Sequence, residues 1–533
     1  MADKLRVDAH VGNKSYTNAA VVIIGAGISG MCMAIDLIKR NNCYNFVIVE
    51  KSSGVGGTWH DNKYPGCCCD VASILYSYSF EQYPKWSREY PGQEELLKHI
   101  RFNSEVKEAQ WDEAEMKWKA SVEVSGDKDS QYARSYVLTS DFLVSAVGQL
   151  NTYNCENKRI AIIGNGATSA QIVPEVANTA SYLAVYQRTP NWVIPRLDAD
   201  VSPLQQALLT YVPPLRMRKR CLAMDFRESF YDAVSDSESY FAQQIRNWCF
   251  DGMRTQLAHK PELWEKLSPN YAPGCKRLIV SDDYYPAIGR ENVDLETRRI
   301  SRITETGIEV EDSTSQEYDF IILATGFKTV EFMYPIRIRG SGGRSLSDIW
   351  KEGASAYHGV TVEDLPNFGM LYGPNTNLVG HNSIILMIEA QSRYLNALVG
   401  EVLRARLQGK TLAIKPHPNA LQVYNRELQE VLARSSFADI NCSSWYKTEE
   451  GKITNNWSGT VVDYQRNLSQ VRWSDYVVEG SAKDAVKPRK ITHLGRVREE
   501  SYVSNRFIAL TAASVLAVVS GVLLRGSSLL RSR

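Results

Sequence analysis

The sequence of 533 residues lacks several patterns that would point to particular classes of protein. Its ten cysteines form no C-x-x-C or C-x-x-x-x-C pair, so neither a zinc knuckle nor a dithiol redox centre is written in the chain, and no metal site is predicted. A net charge of +1 without a long basic tract argues against a nucleic-acid partner. The N-terminus has no apolar stretch of the signal-peptide kind. We expect an intracellular protein with reduced cysteines, and no protein partner is predicted.

The composition is that of a folded globular protein, with 44% hydrophobic and 23% charged residues. The length suggests two or three domains at about 150 residues each. The first readable unit is a strand over 19–24, the glycine turn G-A-G-I-S-G, a helix to about residue 40, and a second strand over 45–49. This βαβ pattern with a following carboxylate is typical of a dinucleotide site, where the pyrophosphate sits on the helix N-terminus. The residues predicted to bind the dinucleotide in this unit are Gly25, Gly27, Gly30 and Glu50.

A second unit repeats the pattern with a strand over 159–163, the turn G-N-G-A-T-S, a short helix, and a strand over 182–186. A small serine replaces the third glycine. The second strand ends without an acid and continues into Arg188, which suits a 2′-phosphate and favours NADPH over NADH. The alternative is that Arg188 is an ordinary surface residue. The predicted dinucleotide-binding residues of this turn are Gly164, Asn165, Gly166, Ala167, Thr168 and Ser169.

The predicted fold class is α/β, with two Rossmann-type domains, a helical insertion and a C-terminal transmembrane helix. A strand over 319–326 is expected to return the chain to the first domain. The predicted domains are an FAD-binding domain over 18–150 and 319–480, an NADP-binding domain over 151–318 with its helical insertion at about 198–272, a polar linker over 481–506 and an anchor over 507–524.

The C-terminal segment from Phe507 to Leu524 contains no charged residue and is flanked by arginines. Eighteen residues of helix span about 27 Å, close to the thickness of a bilayer core. We expect a single-pass membrane anchor with the catalytic part in the cytosol, in an unidentified organelle. The alternative is a buried terminal helix.

Several motifs between residues 19 and about 457 together resemble the Baeyer–Villiger monooxygenases, a branch of the class B flavin monooxygenases. The motifs are G-G-T-W at 56–59, Y-P-G at 64–66 with Asp70, Y-Q-R-T-P-N at 186–191, G-C-K-R-L at 274–278, A-T-G-F at 324–327 and L-Y-G-P-N-T at 371–376. The resemblance implies that the first glycine turn and Glu50 hold the ADP half of FAD. It implies that the flavin side is lined by Thr58, Trp59, Asp61, Asp70 and Tyr76. It implies that NADPH is also held by Thr189 and Lys276, the latter sharing the 2′-phosphate with Arg188. It assigns catalysis to Arg277, held near Asp70.

The resemblance implies that NADPH reduces FAD, that O2 reacts with the reduced flavin, and that a ketone becomes an ester or lactone, in specialised metabolism. A fixed guanidinium at Arg277 favours the anionic oxygen that such a reaction needs. The alternatives are a flavin enzyme that oxygenates nitrogen or sulfur, and a catalytically impaired membrane-anchored flavoprotein. A disulfide reductase is disfavoured because its paired cysteines are missing.

Two departures from the family pattern bear on activity. No F-x-G-x-x-x-H signature occurs, and the connection between 149 and 158 is short where relatives carry a long linker. A second shortening falls between 95 and 99. Both are interpreted as true deletions, a splice form or errors in an exon model. The family resemblance gives the missing linker a part in domain motion, so the chain as written is expected to be a poor oxygenase.

Overall fold

The computed structural model describes residues 18–145 except 53, 63, 91, 93–104 and 124–134, and residues 156–378 except 197 and 327–330. It also describes residues 383–487, residue 491 and scattered positions between 506 and 520. The shortened connection at 95–99, and most of the one from 149 to 158, lie outside the described residues.

The described chain alternates strands and helices in the order expected of an α/β protein. The strands are β1 (Asn18–Ile24), β2 (Phe46–Val49), β3 (Glu105–Asp112), β4 (Lys117–Glu123), β5 (Ser135–Ser145), β6 (Arg159–Ile163), β7 (Tyr182–Tyr186), β8 (Val193–Ile194), β9 (Ile279–Val280), β10 (Val293–Glu296), β11 (Ile300–Ile303), β12 (Gly307–Val310), β13 (Ser315–Glu317), β14 (Phe320–Leu323), β15 (Arg337–Arg339), β16 (Phe368–Met370), β17 (Ala413–Pro416) and β18 (Tyr476–Glu479). The helices are α1 (Ile28–Asn41), α2 (Thr58–Asp61), α3 (Ala167–Thr179), α4 (Pro203–Tyr211), α5 (Pro213–Glu228), α6 (Phe230–Ser235), α7 (Tyr240–Gln256), α8 (Tyr284–Ile288), α9 (Leu346–Ile349), α10 (Ile384–Leu407), α11 (Pro418–Leu432) and α12 (Val461–Asn467).

The first sheet has the strand order β15-β3-β4-β5-β1-β2, with β16 also paired to β5. β1 is parallel to both β2 and β5, whereas β3, β4 and β5 form an antiparallel meander. Every described side chain of β1 is buried, which explains its unbroken apolar sequence. Helix α1 follows β1 directly and packs on the long helix α10, with Met33 and Leu37 facing the core one turn apart. The predicted βαβ unit is confirmed.

The second sheet is parallel, in the order β10-β7-β6-β14. The predicted strands over 159–163 and 182–186 are confirmed. The assignment of 319–326 to the first domain is wrong, because β14 pairs with β6 from Phe320↔Ile160 to Leu323↔Ile163. β1 already has a partner on each side, so the first sheet offers no place beside it. The chain returns to the first sheet only with β15 and β16.

A helical insertion leaves the second sheet after β7, as predicted for about 198–272. It consists of α4 to α7 and returns to the sheet region at β9, which pairs with β8. Ser202 and Ser239 cap α4 and α7 by accepting from backbone amides three residues on. The insertion therefore forms well-delimited helices between two strands of one domain.

Two further expectations are not supported. No helix among the described residues combines the length and the apolar character needed to cross a membrane, and much of the predicted anchor at 507–524 lies outside those residues. The expectation that all cysteines are reduced is also wrong, because Cys275 and Cys442 form a disulfide. These two residues are 167 positions apart and fully buried, so only the tertiary fold brings them together.

Candidate active site

The first glycine turn fits a dinucleotide pyrophosphate at the start of α1. Gly27 caps the helix without a side-chain hydrogen bond, and the first turn holds no acidic residue, so the N-terminal amides are open to an anion. A Cβ atom on Gly30 would lie 2.0 Å from the carbonyl oxygen of Gly25, so the close turn needs glycine there. Glu50 accepts from the amides of Ala26 at 2.7 Å and Ser52 at 2.9 Å. The role of Glu50 in dinucleotide binding stays a prediction.

The G-G-T-W segment is fastened to that turn. The amide of Gly56 donates to the carbonyl of Ala26 at 3.1 Å, and a Cβ on Gly57 would lie 3.0 Å from the Cα of Gly27. Gly57 has a φ of +53°, which disfavours any other residue. Helix α2 begins directly afterwards with Thr58, and Asp61 at its end accepts from the Ser52 hydroxyl at 2.8 Å.

The second glycine turn begins α3 in the same way. Gly166 caps the helix without a side-chain bond, and a Cβ atom placed on it would meet nothing within 4 Å. This open space lies where backbone is expected to approach a pyrophosphate. Asn165 fixes the neighbouring segment by donating to Gln187 Oε1 and to the carbonyl of Thr189, both at 2.8 Å. Ser169 is fully buried in α3, so its small side chain serves packing against the strands.

Two cations lie together beside this turn. Lys276 is half-buried, with its ammonium 5.0 Å from the centroid of the Tyr271 ring. Burial lowers the pKa of Lys276, and the positive charge of Arg188 lowers that pKa further. Within the described part of the chain neither cation forms an ion pair, although each would gain from one. This arrangement suits the 2′-phosphate of NADPH.

An open pocket brings together the predicted catalytic groups. Its wall includes Trp59, Asp70, Tyr76 and Arg277. Trp59 Nε1 donates to the Tyr76 hydroxyl at 3.0 Å, and the two rings meet edge to face at 5.6 Å. Arg277 Nε donates to Asp70 Oδ2 at 2.7 Å, and a terminal guanidinium nitrogen lies 2.5 Å from the same oxygen. The structure thus brings these four predicted residues together, whereas Thr58 and Asp61 lie on α2 outside the pocket wall.

The Asp70–Arg277 pair stays charged. Burial raises the pKa of Asp70, but Arg277 outweighs it and leaves that pKa below its usual value. The carboxylate in turn raises the pKa of Arg277. Each side chain keeps about a quarter of its surface exposed, 26% for Asp70 and 28% for Arg277. The pair is therefore a fixed, ionised element at the edge of the open pocket.

Two wall residues were missed by sequence reasoning. Arg227, from α5 of the insertion, is buried and donates to the backbone carbonyl of Asp70 at 3.0 Å and to the Tyr90 hydroxyl at 3.2 Å. No motif surrounds it, so no sequence signal marked it. Tyr372 lies in the L-Y-G-P-N-T motif, which could have suggested it. The Tyr372 hydroxyl donates to Asn377 Oδ1 at 2.6 Å, and 36% of the residue is exposed.

The loop that carries Asp70 also contacts the second domain. The Tyr64 hydroxyl donates to Gln171 Oε1 at 2.8 Å, and Gln171 Nε2 donates to the carbonyl of Cys68 at 3.1 Å. A Cβ on Gly66 would lie 2.3 Å from the carbonyl oxygen of Gln171. Helix α3, which starts at the second glycine turn, therefore packs directly against the loop that carries Asp70.

Comparison with protein families agrees with this geometry. Residues 23–90 match the NAD(P)-binding Rossmann-like domain, and residues 149–394 match the flavin-binding monooxygenase-like family. A protein of Aspergillus niger described as FAD-binding monooxygenase ktnD is 52% identical over 557 residues, covering 97% of this chain and 91% of the relative. A Baeyer–Villiger monooxygenase of Streptomyces coelicolor is 34% identical, covering 90% of this chain and 94% of the relative.

Solved structures show the same fold. OTEMO in complex with FAD and NADP superimposes with a TM-score of 0.73 at 25% identity, covering 86% of this chain and 99% of that one. Cyclohexanone monooxygenase from Rhodococcus sp. Phi1, bound to NADP+, gives the same TM-score at 23% identity, covering 87% and 100%.

The two dinucleotide turns and the pocket between them define an NADPH-dependent flavin monooxygenase of the Baeyer–Villiger type. The chain belongs to the flavin-binding monooxygenase-like family. The predicted cofactors, FAD and NADP(H), are confirmed. The match to the Aspergillus niger relative runs over more positions than this chain has residues, so the relative carries residues that this chain lacks. That agrees with the shortened connections read from the sequence.

Proposed function

We propose that this protein inserts one oxygen atom of O2 into a ketone and releases an ester or lactone. The observation that carries the proposal is the Arg277 guanidinium, fixed on Asp70 at 2.7 Å in the wall of the pocket. Two relatives named Baeyer–Villiger monooxygenases, 34% and 32% identical, support this reaction type. A role in specialised metabolism stays a prediction.

Different residues of the chain would have different roles in this reaction. The two glycine turns would hold FAD and NADPH, and bound FAD would take hydride from NADPH and react with O2. Arg277 offers a preorganised positive charge that favours negative charge on the reacting oxygen. Asp70 remains ionised because of the lowered pKa and keeps the guanidinium in place. Arg227 holds the backbone of Asp70, and Trp59 and Tyr76 together form part of the pocket wall.

The test offers a ketone and a tertiary amine side by side under labelled O2. We expect an ester that carries one labelled oxygen from the ketone, and little N-oxide from the amine. Arg277→Ala should still bind FAD and still be reduced by NADPH, yet form no ester. Arg277→Lys keeps the charge and loses the planar fork that meets Asp70, so it should recover part of the ester yield.

Two results would contradict the proposal. N-oxide as the main product, with no ester, would favour the nitrogen-oxygenating alternative. Ester formation at the wild-type rate by Arg277→Ala would remove this residue from the mechanism. A control at Arg302, an exposed cation paired with Glu309 on β12, should leave every product unchanged when replaced by alanine.

A further inference from the structure

The joint between α4 and α5 presents an apolar surface to solvent. Eight apolar residues on it are exposed, and we call them the apolar ridge. They are Leu204, Ala207, Leu208, Tyr211, Val212, Pro213, Pro214 and Leu215. Leu204 is 71% exposed and Tyr211 is 81% exposed, so the ridge projects from the protein.

The apolar ridge is a contiguous surface, unlike isolated leucines exposed on a protein surface. An ordinary surface helix turns its apolar face to the core, but α4 buries only Leu209. Its other large apolar side chains, Leu204, Leu208 and Tyr211, follow one another at four and three residues, which places them on one outward face. Continuous with them, the start of α5 adds Leu215. Contiguous exposed apolar patches on soluble proteins mark sites that contact a partner or a membrane.

The charged residues of the chain segment that carries the ridge are all cations. From residue 201 to residue 224 the chain has no Asp or Glu, and α5 carries Arg216, Arg218, Lys219 and Arg220. Lys219 forms an ion pair and Arg220 is buried, so these two are engaged within the protein. Arg216 donates to a backbone carbonyl of α4 and keeps its charge near the ridge. Among the described residues Arg218 forms no ion pair.

We propose that the apolar ridge docks on an anionic lipid surface, with Arg218 facing the headgroups and the charge of Arg216 close beside them. Apolar side chains flanked by cations are the composition of interfacial helices, and each cation near an anionic leaflet strengthens binding about fivefold. A second copy of the chain fits less well. In a two-fold contact through the ridge, Arg216 and Arg218 would face their own counterparts, and like charges oppose such a contact.

The test measures binding of the full chain to sedimented vesicles. We expect weak binding to neutral phosphatidylcholine and about twenty-five times tighter binding when a third of the lipid is phosphatidylserine, because two cations contribute about fivefold each. Raised salt should reverse most of the difference. Replacing Leu204, Leu208 and Leu215 by serine should abolish the binding, and Arg218→Gln should weaken it about fivefold.

Matched controls separate the ridge from the rest of the surface. Val431 and the 94% exposed Ile440 lie on other elements, and their replacement by serine should leave vesicle binding unchanged. Arg426→Gln is the matched charge control. Flavin content and NADPH oxidation report folding, because Leu215 and the pocket residue Arg227 are about 18 Å apart along α5.

Three outcomes would overturn the proposal. The first is an absence of vesicle binding. The second is binding that is equal for neutral and anionic lipid and unaffected by the serine variant, which would place the contact in another segment. The third is a dimer that the serine variant dissociates, which would make a second copy the occupant.

Discussion

Removing either of the two cations beside the second glycine turn should weaken the binding of NADPH and leave that of NADH almost unchanged. Lys276 and Arg188 lie close enough that Arg188 lowers the pKa of Lys276. Neither has an ion-pair partner in the described structure, so a 2′-phosphate would be their natural counter-ion. NADH has no such phosphate. Arg188→Ala and Lys276→Ala should therefore weaken NADPH and leave NADH almost unaffected.

The size of each loss follows from exposure. A charge-assisted hydrogen bond contributes about 1.5–3 kcal/mol, and each 1.4 kcal/mol is about a factor of ten. Arg188 is exposed and screened by solvent, so its removal should raise the KM for NADPH about tenfold. Lys276 is half-buried, so its loss should approach the upper limit, about a hundredfold.

The pH dependence gives a second measurement of the same pair. The ammonium of Lys276 binds the phosphate only while protonated, so the KM for NADPH should rise as the pH approaches the lowered pKa of this lysine from below. Because Arg188 contributes to the lowering, Arg188→Ala should move that rise to higher pH. The KM for NADH should show no such rise.

The assay is the initial rate of oxidation of each nucleotide, over a range of pH, for the wild type and both variants. Arg302→Ala, in the same domain, is the control that removes an exposed cation with its own partner. Equal losses for NADPH and NADH in the Arg188 and Lys276 variants would show that these residues support the fold or the shared pyrophosphate. The phosphate assignment would then be wrong.

Two other predictions concern the rest of the chain. A Cβ on Gly166 would meet no protein atom within 4 Å, so Gly166→Leu should fold and keep its yellow FAD. The variant should lose the binding of NADPH and NADH alike, measured by flavin absorbance and nucleotide titration. Colourless protein would contradict this prediction. The short connection between 149 and 158 should make the enzyme release mainly hydrogen peroxide, measured against the NADPH consumed and the ester formed. A family-like linker inserted after Asn151 should raise the amount of ester formed per NADPH. Ester formation that already matches NADPH consumption without the insertion would show that the linker is dispensable.

Local sequence was sufficient for the two dinucleotide units. The strands over 159–163 and 182–186 have the bounds that the structure gives them, because buried parallel strands are continuous apolar runs and glycine turns mark where they end. Arg188 could be placed for the same reason, since it follows the second strand directly. These features depend on neighbours within about thirty residues, as a βαβ unit requires.

Tertiary structure decided what depends on distant partners. The apolar sequence of β14 would suit a strand of either sheet. It joins the second sheet because β6 has a free edge there, with which β14 pairs. The pairing of Cys275 with Cys442 and the approach of Arg227 to Asp70 join residues more than 150 positions apart. Such contacts arise from the packing of whole domains, so they cannot be predicted from the spacing of residues along the chain.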